Sequence, residues 1–179
     1  MRRPGRLART DVPVTPFHGG FGLAFKAATG RSFSFLLFAC TQIAIDVESF
    51  YHFVRGDWPI HRFFHTFLGA AIVSFVAAFA LRRPVAALLR RMAARPDLRR
   101  WIGSPEISAR AAIVTAIVGC LGHVIPDAIN HSDVEPFAPF ASGNPFHGLV
   151  SLGGLYLGLT ILGAAGFGAM SFSGPRPNA

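Results

Sequence analysis

From Leu149 to Phe172 the chain carries no charged residue, and this run is long enough to cross a membrane, which takes roughly 20 mostly apolar residues in a helix. Phe63 to Leu81 has the same character, with His65 the one ionisable residue near its start. Two further runs are apolar for most of their length and end in ionisable residues: Ser32 to Ile45 leads into Asp46 and Glu48, and Ala111 to Gly122 into His123 and Asp127. All four are apolar around the whole helix rather than along one stripe, the pattern of membrane spans rather than of a soluble bundle. The expected fold class is all-α: a polytopic bundle of four transmembrane helices with two accessory helices. Pro16 to Gly30 reads as a short N-terminal helix stopped at Gly30, with Lys26 near its C-terminal end, where a cation suits the dipole. The pattern leaves open whether it enters the membrane. Arg82 to Arg100 sets Val85, Leu88, Leu89 and Met92 at near-helical spacing among arginines, which predicts an amphipathic helix on the cytoplasmic membrane surface. Pro96 is expected to end it. The organisation is a basic tail over 1–15, one helical membrane domain over 16–172 and a short tail over 173–179.

Charge orients this scheme. Only 15% of the 179 residues are charged, against about 25% in soluble domains. The net charge of +8 is almost all arginine, Lys26 being the sole lysine. These arginines crowd the N-terminus and Arg82–Arg110, beside apolar runs, which fits anionic lipid better than nucleic acid. Arg82–Arg110 holds eight arginines and Ile129–Asn144 holds no Lys or Arg. By the positive-inside rule the arginine-rich loop and the C-terminus are cytoplasmic, and the loops Glu48–His61 and Asn130–His147 face outward. The basic tail favours an inside N-terminus unless Pro16–Gly30 crosses. No apolar run directly follows the basic Met1–Asp11, so a cleaved signal peptide is not expected. Cys40 and Cys120 lie in apolar runs without metal-finger spacing and read as small core residues.

Six of the seven histidines and six of the nine acidic residues then fall on one side of the membrane. His61 and His65 are four apart, as are His123 and Asp127, a spacing that puts each pair on one helical face. Each pair can offer two atoms to one ion, and imidazole with carboxylate suits zinc or a similar divalent metal. Pro126 lies inside the second pair and would kink the helix there. Asp46 and Glu48 are two apart and share no helical face, so both reach one site only if the helix has already ended; Asp46 is the stronger candidate. Ionisable groups at membrane depth cost about 2.5–3.5 kcal/mol each, so they persist mainly where they pair or line a functional cavity. The plainer reading is a structural polar cluster. Other features call for no chemistry. Asp57, Trp58 and Pro59 read as a helix start, and Asn144–Pro145 as the N-cap and first residue of the last helix. Gly153, Gly154, Gly158, Gly163, Gly166 and Gly168 give the last span small faces for close packing.

The order of these elements resembles a known family. It runs Pro16-Phe17-His18, Asp46-Val47-Glu48 after an apolar run, His61-Arg62-Phe63-Phe64-His65-Thr66, Gly122-His123 with Asp127, and then a proline-rich loop. This is similar to the bacterial membrane-bound metal-dependent hydrolases, a group with a LexA-regulated inner-membrane member, and most similar to a related branch of unknown function whose members begin with a Pro-Phe-His segment. The resemblance spans roughly residues 16 to 170. It implies an inner (plasma) membrane location and a metal site of His18, Asp46, His61, His65, His123 and Asp127. Two departures stand out. The group's Asp-x-Asp is Asp46-Val47-Glu48 here, and its His-Arg-x-x-x-His-Ser is His61-Arg62-Phe63-Phe64-His65-Thr66, one residue shorter. Including His18 requires Pro16–Gly30 to dip into the membrane from outside.

The function expected from this is hydrolysis of an ester or phosphoester, in a lipid or small molecule, at the outer membrane face. Zinc is the first choice of metal, with manganese or magnesium as alternatives. Asp46 or Glu48 would be a further ligand or the general base, and Arg62 would neutralise a phosphate. The chain has neither a serine nucleophile elbow nor a P-loop. The rival readings are a metal-ion or proton transporter and a non-enzymatic membrane protein with a structural polar cluster.

Overall fold

The computed structural model describes residues 17–96, 98, 102 and 105–172. Among them are five α-helices and no strand: α1 (His18–Thr29), α2 (Phe35–Arg55), α3 (Phe67–Ala93), α4 (Ala109–Asn130) and α5 (Leu152–Phe172). Hydroxyl side chains start three of them. Ser34 caps α2 by accepting from the Leu37 N–H, Thr66 caps α3 through Gly69, and Ser108 caps α4 through Ala111. Gly56 ends α2 in the left-handed conformation, at φ 70°, where a Cβ would be strained.

The helix boundaries differ from expectation in ways that matter for the site. α2 does not stop near Asp46 but runs on to Arg55, so Asp46 lies about halfway along it. The second apolar run and the amphipathic stretch are one rod, α3, which passes through Pro84 and ends at Ala93, short of Pro96. Packing carries the helix past the missing N–H: Val85 and Ala86 are buried with Ile107, Ala111 and Ala112 at the start of α4. Residues 97, 99 and 100 of the expected surface helix lie outside the described residues. Neither proposed helix start is one. Asp57 instead bonds the His52 ring at 3.0 Å. The Asn144 amide donates to the Ala128 and His131 carbonyls, and α5 begins only at Leu152.

α2, α3 and α4 pack on one another, and α1 packs chiefly on α5. The α1–α5 pair is parallel: Phe17 stacks on Tyr156 with ring centres 4.4 Å apart, Gly20 meets Leu159 and Gly163, and Gly166 meets Leu23 and Ala24. A Cβ on Gly163 would stand 3.0 Å from the Gly20 Cα, and one on Gly166 would stand 2.6 Å from the Ala24 nitrogen. Of the six glycines expected to serve packing, these two do so, while Gly153, Gly158 and Gly168 face open space.

The outward faces are apolar. Ile43, Val47, Phe50 and Val54 form an exposed stripe on α2, Leu68, Ile72, Val76 and Phe79 on α3, and Ile113, Ile117, Leu121 and Ile125 on α4. The buried interior, by contrast, holds Thr41, Gln42, Ser74, Thr115 and several histidines. Apolar outside and polar inside is the arrangement that lipid imposes. Among the described residues three helices, α3, α4 and α5, are long and apolar enough to cross a membrane. The expected fourth, α2, carries Gln42, Asp46, Glu48, His52 and Arg55 and falls short by that measure.

Candidate metal centre

The last two turns of α4 hold the core of the site. Pro126 does not break the helix, and the i,i+4 pair stays together with His123 Nε2 3.0 Å from Asp127 Oδ2. α2 contributes Asp46, whose Oδ1 lies 3.4 Å from His123 Nε2. The turn Phe63–His65 before α3 contributes His65, whose Nε2 stands 3.3 Å from His123 Nε2, 3.6 Å from Asp46 Oδ1 and 3.7 Å from Asp127 Oδ2. Four ligand atoms from three parts of the chain therefore face one another in a buried space.

These separations test the fit of a metal. Ligand atoms about 2.1 Å from a tetrahedral ion stand about 3.4 Å apart. The five separations above run from 3.0 to 3.7 Å and bracket that value. The two imidazole nitrogens meeting at 3.3 Å also need either a shared proton or a cation between them.

Gln42 decides which nitrogen of His123 is free. Its amide Nε2 donates to the Gly119 carbonyl at 3.1 Å, which turns Oε1 toward His123 Nδ1 at 3.2 Å. Nδ1 therefore carries the proton that Gln42 accepts, and the Nε2 lone pair points into the cluster, as a metal-ligating imidazole requires. Gln42 was not among the residues the motifs indicated. Its signal was available: it is a lone amide in an apolar run, one helical turn before Asp46.

His18 joins the cluster, with Nε2 3.1 Å from Asp127 Oδ1. α1 thus begins at the level of the site and descends beside α5. Glu48 acts differently from Asp46. The helix has not ended, and the two carboxylates diverge: Asp46 faces His65 Nε2, whereas Glu48 Oε2 lies 3.7 Å from His65 Nδ1 and accepts the backbone N–H groups of Arg62 and Phe64, at 3.2 and 2.8 Å. Glu48 thereby holds the loop that presents His65. Arg62 is exposed, and its Nε donates to the Pro59 carbonyl at 2.9 Å.

His61 and His65 do not share a helical face, because residues 56–62 are not helical. Their rings still meet edge to face, 4.6 Å between centres, but His61 turns its Nδ1 to Asp133 Oδ1 at 2.9 Å. His61, His131 and Asp133 form a second group with metal-ligand spacing. Burial and the neighbouring His61 hold the His131 imidazole below its ordinary pKa, hence neutral at pH 7. Burial works to raise the Asp133 carboxyl, but the His61 hydrogen bond and the Ile60 and His61 N–H groups outweigh it and hold the pKa low. The remaining two histidines stay apart: His52 pairs with Asp57, and His147 is exposed. A partly open cavity of about 10 Å³ lies against His18, Asp127 and Asn130, lined also by Phe17, Tyr156 and Leu159; that is room for about one water.

No family model, curated protein or solved structure matches the chain. Among the described residues, fold and site together define an all-helical protein with three helices fit to span a membrane and a buried His/Asp cluster able to hold a metal ion.

Proposed function

We propose that this is a membrane-embedded, metal-dependent hydrolase acting on an ester or phosphoester, with lipid as the favoured substrate, at the outer membrane face. The observation that carries the reading is the set of separations among Asp46, His65, His123 and Asp127, which match the edges of a metal coordination polyhedron. His65, His123 and Asp127 would hold the ion and leave a position open beside Asp46 for water, zinc being the best match to imidazole with carboxylate, and manganese or magnesium the alternatives. When bound, such an ion supplies Lewis acidity and lowers the pKa of a coordinated water toward about 7.

The chain's own groups do the rest. Gln42 fixes the His123 tautomer, Glu48 orients His65, and His18 holds Asp127. Asp46, with a side chain 15% exposed, is the cluster carboxylate nearest solvent. It is placed to take the proton released as water adds to the ester. Arg62, exposed on the same loop as His65, is the cation for a phosphate. The apolar stripes beside the site suit a substrate that arrives within the lipid layer. The resemblance to the membrane-bound metal-dependent hydrolases points the same way, and on this reading His18 belongs to the site and the arginine-rich face is cytoplasmic.

A second reading, a proton or metal-ion path, draws on the buried polar groups that continue below the cluster along α2, α3 and α4: Gln42, Thr41, Ser74 and Thr115. One experiment separates the two. Detergent-purified protein is analysed for metal content and assayed on phosphoesters and lipids, against a His65→Ala, His123→Ala double variant. Metal in the wild type, lost in the variant together with hydrolysis, is expected. Wild-type protein with no metal after reconstitution would overturn the hydrolase reading, and metal with ion flux in liposomes but no hydrolysis would favour the path.

A further inference from the structure

We infer that His61, His131 and Asp133 form a second divalent-metal site beside the first, so that the chain holds a pair of ions rather than one. Each of the three offers a ligand atom within 4.8 Å of the other two, and His61 and His131 are each at least 95% buried. They come from separate parts of the chain: His61 from the loop after α2, His131 from the end of α4, and Asp133 from the loop that follows.

The hydrogen bonds argue for a ligand role over a merely structural one. Asp133 already anchors the His61 loop with Oδ2, which accepts the Ile60 and His61 N–H groups at 3.0 and 3.2 Å. Loop anchoring alone requires nothing of the imidazoles. Yet both rings are held by one nitrogen. Asp133 Oδ1 takes His61 Nδ1 at 2.9 Å, and the Asn130 side-chain amide nitrogen lies 3.0 Å from His131 Nε2. On His61 the free nitrogen is Nε2, which is buried without any partner. An orphaned buried acceptor costs about 1–3 kcal/mol, and a cation removes that cost. A ring fixed at one nitrogen by a carboxylate or amide, with the other left free, is the usual setting of a metal-ligating histidine.

The rings of His61 and His131 lie 4.3 Å apart between centres, and His61 lies 4.6 Å from His65 of the first cluster. The two sites therefore abut. Two imidazoles and a carboxylate suit zinc or another first-row divalent ion and leave a coordination position open. Paired ions are a recurrent device for phosphate esters, which narrows the substrate class proposed above; that narrowing rests on the hydrolase reading, whereas the site itself does not.

The test is metal stoichiometry of the full chain, purified in detergent, loaded with zinc and desalted, with cobalt(II) absorption spectra as a second readout. Two ions per chain are expected in the wild type, one in His131→Leu and one in His123→Leu. Cobalt spectra of the two variants should differ and sum to that of the wild type. One wild-type ion that survives in His131→Leu overturns the second site, as do two ions that both survive. One wild-type ion lost in His131→Leu but kept in His123→Leu sustains the second site and sinks the first. Should His131→Leu fail to fold, Asp133→Asn keeps an oxygen for the loop N–H groups and is expected to bind one ion.

Discussion

Gln42→Leu is the sharpest perturbation the site offers, because it removes no candidate ligand and preserves the buried volume approximately. Gln42 is 3% exposed, so water cannot take its place. In the wild type its Oε1 accepts from His123 Nδ1 at 3.2 Å while its amide is tied to the Gly119 carbonyl. With leucine, His123 can bind metal through Nε2 only by leaving its Nδ1 proton unpaired in a buried site, at about 1–3 kcal/mol. Loss of a partner to a ligating histidine elsewhere costs about 10–100-fold in metal affinity, and at about 1.4 kcal/mol per tenfold the two estimates coincide. Zinc affinity of the detergent-purified variant, measured by competition with a chromophoric chelator, is expected to fall by about 10–100-fold, while helical content stays at the wild-type level. An affinity within about twofold of wild type would refute the assignment of the His123 tautomer and, with it, His123 Nε2 as a ligand.

Other outcomes follow from the packing and the loops. Gly20→Leu would drive a side chain into the Leu159 carbonyl; overpacking of this kind costs about 1–3 kcal/mol, and a lowered melting temperature with weakened zinc binding is expected as α1 and His18 are pushed from the site. Glu48→Ala leaves the Arg62 and Phe64 N–H groups without their acceptor, a loss of about 1.5–3 kcal/mol for bonds to a charged group; limited proteolysis between residues 56 and 66 should accelerate, and unchanged cleavage would count against Glu48 as the clasp of that loop. For Asp133 the folded-state pKa is depressed, so its stabilising contribution is present above the unfolded value of about 3.9 and is lost as pH falls through the lower, folded one. The melting-temperature gap between wild type and Asp133→Asn, measured metal-free, should hold steady from pH 7 to about pH 5 and close at lower pH; a gap that widens on acidification would show the sign to be wrong.

Hydrophobic patterning along the chain determined the class of fold, because a helix that must satisfy its backbone within lipid needs an uninterrupted apolar run. α4 contains the whole of the run that marked it, and α3 and α5 contain most of theirs, each beginning three or four residues late. The same reading found most of the cluster, since ionisable residues stand out against so apolar a background: Asp46, His65, His123 and Asp127 come together as a group, while His18, which lies beside them, entered only through the family resemblance. What the pattern misjudged is local. Spacing of four suggested a shared helical face for His61 and His65, but only the three-dimensional path of the loop, clasped by Glu48 and Asp133, shows that the rings meet from outside any α-helix. The caps assigned to Asp57 and Asn144 failed for a related reason. Their side chains found partners elsewhere, in His52 and in the carbonyls of Ala128 and His131, and a polar side chain's choice among such partners depends on what folding brings near. Pro84 was outvoted by the core that buries Val85 and Ala86. Gln42 shows the division most plainly. Sequence alone records an amide among apolar residues, and only the approach of α4 to α2 turns it into the group that sets the proton on His123.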